Sequence, residues 1–199
     1  MITIVSGLPR SGTSLMMQML VAGGMTPLSD GERQADADNP RGYLEFEPVR
    51  NLLNDSKWLN EARGSAIKIV APLLAALPPG LPCRVILCER DMEEVLDSQQ
   101  SMLMRRNQLP SGATPERRQV LKDEYVRMLG RVKAMLAERP DTQLLVIEHR
   151  NVIANPAVAA QQVNRFLDGV CDAAKMAGVV DAALHRNRSA EKPPAARAR

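Results

Sequence analysis

Apolar residues along the chain follow two patterns, short runs rich in β-branched residues and longer segments with the spacing of amphipathic helices. The short runs predict four β-strands, at ITIV, SAIKIV, CRVILCERD and TQLLVIEHR. The longer segments predict helices, at TSLMMQMLVAGG, PVRNLLNDSKWLN, APLLAALPPG, MEEVLDSQQSMLMRR and NPAVAAQQVNRFLDGV. Strands that alternate with helices predict an α/β fold, a three-layer α/β/α domain with a mostly parallel central sheet. In such folds ligands bind at the carboxyl ends of the strands.

Two polar stretches interrupt these patterns and are predicted to be surface loops, one over residues 25–46 and one over 107–115. Thr114 is predicted to cap a long amphipathic helix that ends near Glu138. No internal repeat or linker divides the chain, so residues 1–189 are predicted to form one domain.

The amino-acid composition indicates the kind of core and argues against one class of partner. Aromatic residues make up 3% of the chain, which contains 11 methionines, so the core is predicted to be aliphatic with Met filling its gaps. The formal net charge is +3, and residues 190–199 are predicted to form a disordered basic tail. The rest of the chain is near neutral and poor in aromatic rings, which argues against a nucleic-acid partner.

Cysteine usage and hydropathy bear on location. Cys83, Cys88 and Cys171 are odd in number and lie in no metal-ligand spacing, which favours a reducing compartment and no bound metal. The sequence shows no signal-peptide pattern and no apolar run of about 18 residues. It therefore predicts a cytoplasmic protein without a membrane partner, and it leaves the oligomeric state open.

The segment GLPRSGTS, residues 7–14, joins the first predicted strand to the first predicted helix. A glycine-bearing loop that ends at a helix N-terminus directs backbone N–H groups and the positive end of the helix dipole at one point, which suits a phosphate. The spacing is that of the P-loop GxxxxGK[ST], except that Thr13 stands in place of the lysine that contacts the β- and γ-phosphates. The predicted cradle consists of Pro9, Arg10, Ser11, Gly12, Thr13 and Ser14. The alternative is an ordinary glycine-containing turn.

A second candidate motif lies about 80 residues further on. Arg90 follows the predicted strand CRVILCERD, and Ser98 comes eight residues later on the next predicted helix. Arg suits forked recognition of a phosphate, and a Ser hydroxyl adds one donor. The structural alternatives are an ion pair of Arg90 with Asp91 or Glu94, and a solvated helix face for Ser98.

Together these residues resemble the sulfotransferases that use 3′-phosphoadenosine 5′-phosphosulfate (PAPS), including bacterial members. GLPRSGTS is similar to the family's 5′-phosphosulfate loop, and Arg90 with Ser98 is similar to the pair that binds the nucleotide's 3′-phosphate. Weaker similarity runs through DNPRGYLEFEPV, AIKIVAPLLAALP and VIEHRNVIANPAVAAQQVNRFLDG, and covers most of residues 2–170. The resemblance implies transfer of a sulfuryl group from PAPS to a hydroxyl or amine acceptor, with PAP as the product and no metal.

The resemblance also implies candidates for the cation on the leaving phosphate. Arg10 matches the basic residue of the family loop, and Lys68 is a second candidate. In the cytosolic branch a catalytic His lies two residues after this Lys, where the present chain has Val70. The only histidines, His149 and His185, come late in the chain, which favours a structural role for them.

Other branches of the family use a Glu early in the chain as the base that accepts the proton of the acceptor. The candidates here are Glu32, Glu45 and Glu47. Glu45 is the first choice, because Gly42 and Tyr43 would set it at the edge of a loop over the phosphate cradle. The choice among the three stays open.

The role of two late arginines and two rival functions also stay open at this stage. Arg186 and Arg188 lie where some family members place a basic segment against the 3′-phosphate, and the alternative is a solvated tail. The first rival function is a P-loop kinase of a small metabolite, which would require magnesium. The second is a nucleotide- or phosphate-binding protein that keeps the fold without the catalysis.

Overall fold

Four parallel strands form one sheet at the centre of the fold. The computed structural model describes residues 1–36, 39, 42–108 and 114–181. The strands lie in the order β2-β1-β3-β4, and they are β1 (Ile2–Gly7), β2 (Ala66–Lys68), β3 (Cys83–Glu89) and β4 (Thr142–Glu148). All three neighbouring pairs are parallel. The four predicted strands are confirmed, and so is the α/β class.

Six α-helices lie between and after these strands in the part of the chain described. They are α1 (Thr13–Ala22), α2 (Met92–Arg105), α3 (Pro115–Ala137), α4 (His149–Ala154), α5 (Pro156–Phe166) and α6 (Ala173–Gly178). The predicted cap of α3 is confirmed, because the Thr114 side chain accepts a hydrogen bond from the Arg117 N–H at 3.4 Å. Among the described residues, none of these helices combines the length and apolar composition needed to cross a lipid bilayer.

The prediction of one helix at PVRNLLNDSKWLN is wrong. Two short 3₁₀ helices, Glu47–Asn51 and Lys57–Asn60, stand in its place and are separated by a turn. The turn contains Asn54, Asp55 and Ser56, whose short polar side chains compete with the backbone for hydrogen bonds, and Asp55 accepts one from the Lys57 N–H. The predicted helix after β2 is a third 3₁₀ helix, at Ala71–Ala76.

The two faces of the sheet carry separate apolar cores. Ile2 and Ile4 of β1 belong to the core that is covered by α3 and the 3₁₀ helices. Val5 of β1 and Ile86 of β3 belong to the opposite core, which is covered by α1, α5 and α6. Strands that are buried on both faces read as continuous apolar runs, which is the pattern from which they were predicted. The arrangement has the three layers expected from the sequence.

The strand order creates a crevice at one edge of the sheet. β1 lies between β2 and β3, so the chain leaves β1 towards one side of the sheet and leaves β3 towards the other. Connections that diverge in this way leave a crevice at the carboxyl ends of the two strands, where ligands of open α/β sheets bind. The segment after β1 is the glycine loop, and the residue after β3 is Arg90.

Candidate functional site

Two glycines shape the loop at the carboxyl end of β1. Gly7 has a φ of 153° and Gly12 a φ of 101°, values that side chains disfavour. A Cβ on Gly7 would lie 2.3 Å from Ser11 Oγ and 2.6 Å from the carbonyl oxygen of Cys88. Gly12 provides no capping side chain for α1. The first N–H groups of the helix are therefore directed at the loop's concave side, as in anion-binding helix ends.

Lys68, the last residue of β2, reaches across to this loop. Its ammonium donates to Ser14 Oγ at 2.9 Å, to the Tyr43 carbonyl oxygen at 2.9 Å and to Glu45 Oε1 at 3.2 Å, which uses all three N–H bonds. The side chain is 7% exposed. Burial lowers the pKa of Lys68, and the nearby Glu45 carboxylate offsets part of that effect. The loop sequence lacks the lysine of the P-loop, and a lysine from a different strand contacts the loop.

A second cation holds the carboxylate of Glu45. Arg33 Nη1 donates to Oε1 at 3.1 Å and to Oε2 at 3.0 Å. The central guanidinium carbon of Arg33 lies 3.4 Å from the centroid of the Tyr43 ring, and the Tyr43 hydroxyl donates to Asp36 Oδ1 at 2.7 Å. Burial opposes the charge of Arg33, but the hydrogen bond and charge of Glu45 outweigh it and raise the pKa of Arg33. Glu45 is thus an ionic partner of two cations at the cavity wall.

The predicted 3′-phosphate pair contacts the loop directly. Arg10 Nε donates to Ser98 Oγ at 2.9 Å, and Arg90 Nη1 donates to the Arg10 carbonyl oxygen at 3.2 Å. Arg90 also pairs with Glu94 at 2.7 Å, which is the structural alternative that the sequence left open. Arg10 has a left-handed φ of 77°. This conformation costs a non-glycine residue about 1–2 kcal/mol.

These groups line one cavity of about 630 Å³ at the carboxyl ends of the strands. Small-molecule sites have volumes in this range. Seven Arg or Lys side chains and three Asp or Glu side chains occur in the described lining, so the cavity favours an anionic ligand. The basic residues are Arg10, Arg33, Arg50, Lys68, Arg90, Arg105 and Arg106. Phe46, Val49, Val70 and Leu73 add an apolar wall.

No protein-family model matches this chain, and no curated protein matches it either. The resemblance to PAPS-dependent sulfotransferases therefore stays a prediction, which depends on the glycine loop and on Arg90 and Ser98. The geometry is compatible with it, because both motifs lie at the carboxyl ends of adjacent strands and line the same cavity.

The three candidate carboxylates occupy different places. Glu45 lies against Lys68 and Arg33, and its side chain is 31% exposed at the cavity wall. Glu47 is exposed, lines the rim and pairs with Arg50 at 3.0 Å. Glu32 is exposed and does not line the cavity formed by the described residues. Of the three, Glu45 has the contacts that orient a side chain.

The other predicted cradle residues divide between the cavity and the interior. Pro9 and Thr13 line the cavity, and the Pro9 carbonyl oxygen accepts a hydrogen bond from Gln99 at 3.0 Å. Ser11 is buried, and within the described ranges its hydroxyl has no hydrogen-bond partner. Three further candidates fall outside the described residues, namely His185, Arg186 and Arg188.

Three residues that line the cavity were not predicted from the sequence to belong to the site. His149, which was assigned a structural role, lies against Gly12, is 9% exposed and lines the cavity. Arg33 and Tyr43 lie in the polar segment whose residues follow no periodic pattern. The available signal for His149 was its position directly after the last strand, because that residue reaches the same edge of the sheet as the loop.

Proposed function

We propose that this chain is a sulfotransferase that moves a sulfuryl group from PAPS to a hydroxyl or amine acceptor and releases PAP. The contact of Lys68 Nζ with Ser14 Oγ at 2.9 Å carries the proposal. In magnesium-dependent P-loop enzymes the hydroxyl at the position of Ser14 ligates the metal. An ammonium on that hydroxyl opposes a divalent cation there and supplies its own positive charge. This favours a phosphate-bearing donor, such as PAPS, whose reaction needs no metal.

The contacts between the two motifs also support a nucleotide with two separate phosphates. Arg10, Ser98 and Arg90 come from distant parts of the chain and meet at the carboxyl ends of β1 and β3. By the resemblance, the loop contacts the 5′-phosphosulfate, and Arg90 with Ser98 contacts the 3′-phosphate. The cationic lining suits such a polyanion, and of its members Arg33 is already paired with Glu45.

The reaction assigns roles to the residues around Lys68. Transfer breaks the bond from sulfur to the 5′-phosphate oxygen and forms a bond from sulfur to the acceptor oxygen or nitrogen. The electron pair of the broken bond stays with the phosphate, where Lys68 and Arg10 stabilise the growing charge. The acceptor proton passes to Glu45, whose Oε2 accepts one hydrogen bond from Arg33 and has capacity for another.

A binding measurement with PAP tests the proposal. We expect micromolar or tighter binding in calorimetry, and a loss of about 10- to 100-fold in Arg10→Ala and Arg90→Ala, because each removes a charged hydrogen-bond donor. Arg118→Ala is the matched control, since Arg118 holds Glu93 and Asp97 and does not line the cavity. Unchanged PAP affinity in both site variants would refute the assignment.

Binding and activity assays on the same purified protein distinguish the rival functions. Tight binding of Mg-ATP without binding of PAP would identify a P-loop kinase. Binding of PAP without release of PAP from PAPS, with phenols, amines or water offered as acceptors, would identify a nucleotide-binding protein without catalysis. Mass spectrometry of the acceptor gives the deciding readout, a gain of one SO₃ unit.

A cytoplasmic location is part of the proposal. Cys83, Cys88 and Cys171 are all free thiols buried in the fold. Burial raises the pKa of Cys88 to about 12, which keeps this thiol protonated and unreactive. Free thiols of this kind suit a reducing compartment.

A further inference from the structure

We infer that Arg33 is a positioning residue, which fixes the Glu45 carboxylate beside Lys68 so that its free lone pair is available to the acceptor. The inference rests on the proposed function. It adds a residue that neither motif contains and that lies 12 positions before the carboxylate it holds.

The contact with Arg33 gives the Glu45 carboxylate a second point of attachment besides Lys68. One guanidinium nitrogen, Nη1, lies 3.1 Å from Oε1 and 3.0 Å from Oε2. Lys68 Nζ approaches Oε1 alone, at 3.2 Å. Lys68 by itself would hold one oxygen and leave Oε2 without a restraint, whereas Arg33 contacts both oxygens and adds a second point of attachment. Both partners are about one-third exposed, so the effect on orientation exceeds the effect on stability.

Arg33 is itself held by a fixed platform. Its guanidinium stacks 3.4 Å above the Tyr43 ring, a cation–π contact. Tyr43 is 5% exposed and is tied at both ends, since its hydroxyl donates to Asp36 and its carbonyl oxygen accepts from Lys68. The ring is therefore immobile, and Lys68 is joined to Glu45 both directly and through Tyr43 and Arg33.

The backbone between Tyr43 and Glu45 is bent to bring these side chains together. Leu44 has a left-handed φ of 50°, which is uncommon for a residue with a branched side chain. The Glu45 carbonyl oxygen is held in turn by the Ser29 hydroxyl at 2.9 Å. Strained backbone of this kind persists where surrounding contacts over-determine it, and it clusters at functional sites.

Arg33 is expected to affect turnover and to leave donor affinity nearly unchanged. The residues proposed to bind the phosphates are Arg10, Ser14, Lys68, Arg90 and Ser98. Arg33 contacts Glu45 and Tyr43 instead. A carboxylate displaced by about 1 Å from its productive position can lose about 10²-fold in rate. Loss of Arg33 should therefore lower kcat through Glu45.

A double-mutant cycle on kcat tests this inference. PAP release from PAPS is measured with phenol, an alkylamine or water as acceptor, in wild type, Arg33→Gln, Glu45→Gln and the double variant. We expect Arg33→Gln to lower kcat about 10²-fold, with a PAP dissociation constant within about twofold of wild type. In the Glu45→Gln background the same change should have almost no further effect, because Arg33 acts through Glu45. Arg33→Lys should recover part of the rate, since one nitrogen makes both carboxylate contacts but the ammonium loses the planar stacking on Tyr43.

Arg118→Gln is the matched control for loss of an ion pair. Its side chain is 30% exposed against 34% for Arg33, and it also binds carboxylates. Additive effects of Arg33→Gln and Glu45→Gln, or a loss of PAP affinity that matches the loss of kcat, would overturn the inference and leave the sulfotransferase proposal intact. Wild-type protein that fails to bind PAP would instead overturn the proposed function, and the positioning role with it.

Discussion

Gly12 and His149 lie so close together that a side chain on Gly12 would displace the imidazole of His149. A Cβ on Gly12 would lie 2.6 Å from His149 Cδ2. His149 is the first residue of α4 and directly follows β4, while Gly12 directly precedes α1. The glycine loop is thus contacted by the residue that follows β4, a strand two positions away from β1 in the sheet.

Gly12→Ala should therefore destabilise the protein and weaken PAP binding. The added methyl group has two unfavourable effects on stability. It strains a left-handed backbone at φ 101°, and it collides with the imidazole of His149. Gly64→Ala isolates the first cost, because Gly64 has a φ of 82° with open space around its Cα. We expect about 1 kcal/mol for Gly64→Ala and about 2–3 kcal/mol for Gly12→Ala in urea unfolding. In a His149→Ala background the cost of Gly12→Ala should fall to that of Gly64→Ala, and equal costs for the two glycines in wild type would contradict the contact.

Lys68 should make stability depend on pH in the alkaline range. Burial lowers its pKa in the folded protein from the ordinary 10.5, so just below pH 10.5 the folded state binds fewer protons than the unfolded chain. The free energy of unfolding therefore rises with pH in that window. Lys68→Met should remove the rise, and the wild-type advantage over the variant should grow between pH 8 and about 10.

Lys122→Met is the control for the alkaline series. The hydrogen bond with Glu93 raises the pKa of Lys122, so its titration window lies above 10.5. Its contribution is lost only as pH rises through that raised value. The difference between wild type and Lys122→Met should stay flat from pH 8 to about 10. If the stability difference from wild type changed with pH by a similar amount in Lys68→Met and Lys122→Met, the effect would not be specific to Lys68.

Glu45→Gln should lower turnover while PAP affinity stays nearly constant. A general base contributes about 10²- to 10⁴-fold, and the amide cannot take the acceptor proton. Glu32→Gln provides the comparison, because that carboxylate is exposed and does not line the described cavity. Steady-state PAP release decides between them. Full activity in Glu45→Gln would exclude Glu45 as the base.

Asp91→Ala should loosen the helix that presents Ser98. The Asp91 side chain caps α2 by accepting from the N–H groups of Glu93 at 3.0 Å and Glu94 at 3.2 Å. Loss of such a cap costs about 1 kcal/mol of stability. Thr114→Ala, which removes a single longer cap bond at 3.4 Å on α3, should cost less in thermal unfolding. Only Asp91→Ala should also weaken PAP binding.

The sequence was sufficient to predict the sheet because β1 and β3 are buried on both faces, and β4, although partly exposed, also carries apolar residues on both faces. Each strand is a short run in which apolar side chains occupy both faces, as in β3, where Val85 and Ile86 enter opposite cores. The glycine loop was also predictable, since backbone with positive φ at Gly7 and Gly12 requires glycine at a fixed spacing.

The partners of Glu45 were not predictable for a physical reason. Arg33 and Tyr43 lie in a polar segment without helical or strand period, and their contacts depend on a bend at Leu44 that no sequence pattern marks. The false helix at PVRNLLNDSKWLN has a similar origin. Its apolar residues Val49, Leu52 and Leu59 do enter the core, but they do so from 3₁₀ turns.

The position of β3 has a consequence for synthesis of the chain. β3 pairs with β1 over residues 83–88 on one side and with β4 over its whole length on the other, yet β4 begins 53 residues after β3 ends, beyond α2 and α3. A nascent chain that has released β3 but not β4 exposes an apolar strand edge, which is a template for pairing with other chains. A chaperone that covers this strand edge until β4 is released should therefore raise the yield of folded protein.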